Sequence, residues 1–236
     1  MESFGKQELR QRSWAALRAA DAARFPGVEG RIPNFVGAEA AAEKLTAADA
    51  WQSARVLKCN PDSPQLPVRA RALSEGKTVY MAVPRLAEEK PFLKLDPDRL
   101  TVSPHRAASI KGSAANGEPV AMEEMDRIDL VVCGCVAVER TGARLGKGGG
   151  YSDIEFALAT EFGLIDATTV VATTVHPSQF LDDGTIPVTD HDFPLDLIVT
   201  PDGSILTHTE LTRPSGIIPD ELDEDRRATI PILARR

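Results

Sequence analysis

One run restricts this chain more than any other: Thr141 to Glu155, reading Thr-Gly-Ala-Arg-Leu-Gly-Lys-Gly-Gly-Gly-Tyr-Ser-Asp-Ile-Glu. It lies between an apolar, strand-like stretch (Ile128 to Val138) and a helix-like one (Asp153 to Phe162), so it predicts strand, glycine loop, helix. Glycine admits positive φ and close backbone approach. Successive N–H groups can then converge on an anion at the positive end of the following helix. Arg144 and Lys147 add full charges to the same place. Ser152 and Glu155 have the Ser-x-x-Glu spacing of a capping box, which starts the helix just after the loop. The run reads as a phosphate cradle, and a flexible glycine-rich surface turn is the competing reading. It is not a P-loop, because Gly-x-x-x-x-Gly-Lys-Ser/Thr is absent. Gly146-x-Gly148-x-Gly150 also differs from the dinucleotide fingerprint. Asp153 would repel a phosphate unless a divalent cation such as Mg²⁺ bridged the two. Its competing role is that of a helix first-turn acid.

Composition sets the outer bounds. A chain of 236 residues with 42% hydrophobic content can bury a substantial core as one large domain or two small ones. A net charge of −8 argues against a general nucleic-acid-binding surface and leaves room for a local basic pocket. Much of the acidity is concentrated at Asp220, Glu221, Asp223, Glu224 and Asp225. Residues 1–210 therefore read as a single domain, and 211–236 as an acidic, solvated or flexible extension. Met1 to Arg24 carries charges throughout, and no run approaches the roughly 18 apolar residues of a membrane span, so a cytoplasmic location is expected. Cys59, Cys133 and Cys135 form no zinc pattern and read as buried, reduced thiols.

Gly5 to Arg24 is an amphipathic helix on which Lys6 and Arg10, four apart, share a face. A proline- and glycine-broken connection follows (Phe25 to Phe35), then an alanine-rich helix from Gly37 to Leu45 running on toward Trp51. Ala54 to Cys59, Pro64 to Glu75 and Lys77 to Val83 make a strand, helix and strand: a βαβ unit with parallel pairing. Further strands are expected at Ile128 to Val138, Thr168 to Val175, Leu195 to Thr200 and Ser204 to Leu206. Pro84 to Met125, with Pro91, Pro97, Pro104 and Pro119, reads as mixed turns and short strands over one sheet edge. The sum is an α/β sheet with helices on both faces, of which the helix after the glycine loop is the clearly amphipathic one. A second polar concentration, His176, Gln179, Asp182, Asp183, Asp190, His191, Asp192 and Asp196, could be loop decoration or could supply a carboxylate that meets Asp153 around Mg²⁺.

Gly142-Ala-Arg144-Leu145-Gly146-Lys147-Gly148-Gly149-Gly150-Tyr151-Ser152-Asp153 resembles the signature of the 5-formyltetrahydrofolate cyclo-ligases, also called methenyltetrahydrofolate synthetases. Lys6-x-x-Leu9-Arg10 resembles that family's first-helix motif. Ile186-Pro187 followed by His191-Asp192-x-x-Leu195-Asp196 resembles its C-terminal segment. Together these span most of residues 6 to 200. The resemblance implies a three-layer α/β/α domain with a mostly parallel central sheet, similar to the sugar-phosphate isomerase and CoA-transferase group. It implies phosphorylation of the formyl oxygen of 5-formyltetrahydrofolate by MgATP, followed by ring closure to 5,10-methenyltetrahydrofolate with loss of phosphate. Carried over by position, Lys6, Arg10 and Arg144, Leu145, Gly146, Lys147, Gly148, Gly149, Gly150, Tyr151 and Ser152 would bind ATP, and Asp153 and Asp192 would hold Mg²⁺. Arg10, Lys147, Gly148, Gly149, Gly150 and Tyr151 would also contact the reduced folate. Arg144, Lys147 and Tyr151 would be catalytic.

Three departures concern the folate side. Ser152 and Ile154 replace the family's usual second tyrosine and following arginine. Asn60 to Gln65 lacks an acidic Glu-x-x-Thr element. Asp153 to Leu158 and His176 to Gln179 look closer to the divergent methenyltetrahydrofolate synthetase domain-containing branch. Alternatives to the cyclo-ligase are an ATP- and Mg²⁺-dependent ligase or kinase of the same fold on another small molecule, or a non-catalytic nucleotide- or RNA-binding regulatory module. The sequence leaves the oligomeric state open.

Overall fold

Side chains along the central strands alternate between two buried layers, and this period of two builds the molecule. The computed structural model describes residues 4–222 and 224–235; Asp223 of the expected acidic cluster lies outside them. In chain order come helices α1 (Lys6–Ala19), α2 (Ala38–Thr46) and α3 (Asp49–Ser53), strand β1 (Val56–Cys59), helix α4 (Leu66–Ser74) and strands β2 (Thr78–Ala82) and β3 (Phe92–Leu95). Helices α5 (Pro104–Ala108) and α6 (Ile110–Asn116) precede strands β4 (Glu118–Val120), β5 (Leu130–Cys133), β6 (Ala137–Val138) and β7 (Arg144–Leu145). Helix α7 (Tyr151–Glu161), strands β8 (Val170–Thr174), β9 (Leu197–Val199) and β10 (Ser204–Leu206), and short helices α8 (Glu224–Thr229) and α9 (Pro231–Ala234) complete it.

The main sheet has the order β10-β9-β8-β5-β1-β2-β3-β4. Its centre, β9 through β2, is parallel, and antiparallel strands close both edges. Leu57, Cys59, Val79, Met81, Leu130 and Val132 face a layer shared with Leu45, Trp51, Val68 and Leu73. Tyr80, Val131, Cys133 and Ile198 face the opposite layer, with Phe156, Leu158 and Phe193. This is the expected mostly parallel α/β architecture. The βαβ unit is β1-α4-β2, with Val56 opposite Thr78. Strand order reverses between β1 and β5, and the crevice beyond the carboxyl ends of such strands is where open α/β sheets take ligands. The three cysteines are buried and form no disulfide. Among the described residues, no helix is long and apolar enough to cross a membrane.

Several elements differ from expectation. The strand expected over 128–138 leaves the sheet after Cys133 at Gly134, where Ile32 packs so closely that a Cβ would meet it at 2.8 Å, and the chain continues as the β6-β7 ribbon. Residues 84–125 do add strands β3 and β4 at one edge, and also fold helices α5 and α6, capped by Ser103 and Ser109. The helix expected from Gly37 toward Trp51 breaks into α2 and α3.

Helix α7 begins at Tyr151, not after Ser152: Gly150, at φ 69°, is its N-cap, and no side chain caps it. Glu155 is buried instead of closing a capping box. Nor is α7 amphipathic, since Ile154 through Ala159 are all buried. The extra cover comes from the C-terminal segment, expected as an extension. The Ile217 N–H donates to Glu161 Oε1 at 2.8 Å, and Ile230 and Leu233 join the same core layer as α7.

Candidate active site

The glycine loop is positioned from both sides by side chains distant in sequence. Leu145 packs into a cluster with Leu9 of α1, Ala137, Ala143 and Ile186, and Ser13 Oγ donates to Val136 O at 2.6 Å, so α1 lies against the β6-β7 ribbon. That docking brings the basic face of α1 to the loop. Arg10 Nε donates to Gly146 O at 2.7 Å, and Lys6 Nζ lies 2.6 Å from Asp192 Oδ2. Burial lowers the Arg10 guanidinium pKa, and the nearby Asp192 carboxylate opposes that shift.

Asp192 sits in the loop before β9, where it also accepts hydrogen bonds from the Thr189 N–H and hydroxyl, both at 2.8 Å. Burial pushes its carboxyl up, but the bonds from Lys6 and Thr189 outweigh burial and hold it below the ordinary range.

Arg144 is the most tightly held cation. Its Nε donates to Phe193 O at 2.9 Å, its guanidinium lies 3.5 Å from the Phe193 ring centroid, and it is ion-paired with Asp153. Phe193 in turn stacks on Phe156 of α7 at 4.3 Å. Burial opposes the Arg144 charge, yet Asp153 and other neighbouring groups raise its pKa, so the cation is secured. Lys147 is half exposed and reaches Asp62 Oδ1 at 3.0 Å.

Gly148 (φ 103°) and Gly150 (φ 69°) take conformations that favour glycine, and each sits against an arginine. A Cβ at Gly148 would lie 3.3 Å from the Arg10 guanidinium carbon, and one at Gly150 would lie 2.9 Å from Arg226 Nη1. Glycine here keeps open a backbone cradle between two cations, a fit to phosphate oxygens. Tyr151, the first residue of α7, flanks this cradle, with its ring against Gly149.

The structure thus gathers Lys6, Arg10, Arg144 to Ser152, Asp153 and Asp192 in one place. Both candidate Mg²⁺ ligands are engaged by cations, and the described residues contain no group of three or more His, Cys, Asp or Glu arranged to hold a metal. Two carboxylates still suit Mg²⁺, which commonly takes one or two from protein and the remainder from phosphate and water. Other polar residues of the 175–196 segment serve the fold. Gln179 Nε2 bonds Cys135 O at 2.9 Å, Asp183 caps the Arg140 N–H at 3.0 Å, and Asp196 accepts from Val171 N at 2.7 Å.

Sequence reading missed the opposite wall of the crevice. Lys58 points from β1 into the α7 layer and pairs with Glu155, and both are buried. Asn60 Nδ2 reaches Ser152 Oγ at 3.4 Å, and Gln65 Nε2 reaches Thr174 Oγ1 at 3.4 Å. The other end of each carboxamide, Asn60 Oδ1 and Gln65 Oε1, is buried without a hydrogen-bond partner among the described residues. Buried Arg69 fixes this corner through the carbonyls of Asn60, Asp62 and Ala108. One signal was available: a lysine amid the strand-like Ala54 to Cys59 and a glutamate within the apolar run of α7 are both costly unless paired.

Comparison with known proteins places this geometry. The model of the 5-formyltetrahydrofolate cyclo-ligase family matches residues 2–201. The mouse (Mus musculus) methenyltetrahydrofolate synthase domain-containing protein is 37% identical over 98% of this chain, and the bovine (Bos taurus) one is 36% identical over 97%. This chain spans 63% and 60% of the length of those two relatives. The mitochondrial 5-formyltetrahydrofolate cyclo-ligase of Arabidopsis thaliana is 42% identical over 82 residues, 33% of this chain and 29% of its own length. In fold, the chain is similar to the solved 5,10-methenyltetrahydrofolate synthetase of Aquifex aeolicus, with a TM-score of 0.52, 18% identity and coverage of 88% of this chain and 95% of that one. The first-helix cations, the glycine loop and the Asp192 segment all fall within the matched residues, and the chain belongs to the 5-formyltetrahydrofolate cyclo-ligase family.

Proposed function

We propose that this chain is an ATP-dependent ligase that closes 5-formyltetrahydrofolate to 5,10-methenyltetrahydrofolate, with release of ADP and phosphate. The observation that carries the reading is the convergence of Lys6 and Arg10, the Arg144 to Gly150 loop and Asp192 on the start of α7. A formyl amide oxygen is a weak nucleophile, and phosphoryl transfer to it depends on alignment and on stabilising charge. Arg10 and Lys147 would meet phosphate oxygens from two sides while the N–H groups of Gly148 to Gly150 meet them from below. Arg144, fixed by Phe193 and Asp153, keeps its charge and orientation without reorganisation. Tyr151 would flank the reacting groups. Asp153 and Asp192 would hold Mg²⁺, which when bound would neutralise charge on the phosphates. The test is incubation of the purified chain with 5-formyltetrahydrofolate with and without MgATP. Near-ultraviolet absorbance of the methenyl product should rise only with MgATP, and tight ATP binding without turnover would refute the reading.

A second reading keeps the nucleotide chemistry and changes the acceptor to another small molecule. Asn60 and Gln65, neutral carboxamides each with a spare end, favour it, since they occupy the segment where the resemblance leads one to look for an acid. On this reading ATP hydrolysis would be stimulated by some other small molecule and not by 5-formyltetrahydrofolate, which a stimulation screen would detect.

A further inference from the structure

The family pattern ends at residue 201, whereas the mouse relative matches over 235 residues, so the segment beyond 201 is shared with that relative and lies outside the family pattern. This segment returns to the glycine loop. It is anchored at one end by the Ile217 N–H on Glu161 and at the other by Ile230 and Leu233 in the core. Between the anchors it closes a cavity of about 60 Å³ over the first turns of α7, lined by Gly150, Asp153, Ile154 and His191 from the domain and by Ile218 and Arg226 from the segment. The Arg226 guanidinium lies 5.9 Å from the Tyr151 ring centroid and stands where a Cβ on Gly150 would meet it at 2.9 Å.

We propose that the C-terminal segment, through Ile218, Leu222 and Arg226, forms a further wall of the nucleotide site and that Arg226 binds a phosphate oxygen of the nucleotide seated on the glycine loop. This rests on the reading of the loop as an ATP site. Arginine suits the role because its planar fork donates several charge-assisted hydrogen bonds at once. Nucleotide binding and closure of the segment would then be coupled, each favouring the other.

The experiment measures ATP affinity of the full chain by calorimetry for wild type, Arg226→Ala, Arg226→Lys and a charge-matched control, Arg99→Ala, at the far sheet edge. Arg226→Ala should bind ATP about tenfold more weakly, as expected for one charge-assisted contact, with partial recovery in Arg226→Lys and no change in Arg99→Ala. In parallel, ATP should slow tryptic cleavage of wild type after Arg226 and Arg227. If wild type binds no ATP, the nucleotide reading falls and this proposal falls with it. If wild type binds ATP and folded Arg226→Ala binds it equally, only the role of Arg226 and the segment is overturned. Should Arg226→Ala fail to fold, the tryptic arm decides, and cleavage indifferent to ATP would overturn the proposal.

Discussion

The glycine-loop wall and the β1 wall face the same crevice and are built on opposite terms. On the loop wall the charged groups belong to residues far apart in sequence, and each cation is tied to a carboxylate or to a backbone oxygen: Lys6 to Asp192, Arg144 to Asp153, Arg10 to Gly146. Most of these groups lie near solvent, where an incoming ligand can exchange for them. On the β1 wall, Lys58 and Glu155 are sealed beneath the surface, and Asn60 and Gln65 each keep one polar end unspent. The first wall has the chemistry of a polyanion site. The second combines an internal charge pair with buried neutral carboxamides whose oxygens have no partner among the described residues. On the function proposed above, the two halves would serve different ends, the phosphoryl donor and its acceptor.

Substitutions can break or sharpen this contrast. The largest effect is expected from Arg144→Ala, which strands Asp153 and removes the support of Phe193. We expect a loss of about 3–5 kcal/mol, read from the urea midpoint, with ATP binding abolished. Next is the buried pair of the other wall. Lys58→Met or Glu155→Leu alone should cost about 3–5 kcal/mol, yet the double variant should recover most of it and still bind ATP. A double variant no more stable than the singles would show that the two charges are not coupled.

Gly148→Ala forces a side chain into a positive-φ position against Arg10, so about 1–3 kcal/mol of strain is expected, with ATP affinity falling more than thermal stability. The smallest effect concerns pH. The Asp192 carboxyl is depressed below its ordinary value of 3.8, so its stabilising contribution is present above that pH and is lost as pH falls through the lower folded value. Lys6→Met should reduce that acid sensitivity in unfolding measurements below about pH 4, and an unchanged acid profile would count against the Lys6–Asp192 pair.

Where local chemistry dominates, the sequence was legible. The βαβ unit appears where periodicity put it, as β1, α4 and β2. The positive-φ glycines of the loop and the first helix that carries Lys6 and Arg10 also form where the sequence put them, because turn and helix conformations are local properties. It misled where a local signal competed with distant packing. Ser152 and Glu155 have capping-box spacing, but a left-handed Gly150 starts the helix earlier and Lys58, nearly one hundred residues away, claims Glu155. The C-terminal acids read as solvated and Asp220, Glu221, Glu224 and Asp225 are exposed, but that signal gave no hint that Ile230 and Leu233 just beyond them bury in the layer that holds α7.

By itself, then, the sequence determined the parallel α/β core, the glycine-rich loop of residues 141–153 between strand and helix, and the family to which the chain belongs. Only the tertiary structure decided that Lys58 and Glu155 share the interior beneath the site, that Asn60 and Gln65 are buried with one polar end each unspent, and that the C-terminal segment returns to cover α7 beside Gly150. The division has a physical cause. Backbone conformation and hydrophobic periodicity are set by near neighbours, whereas the partner of a buried charge or an apolar face is chosen by whichever surface the whole chain brings against it.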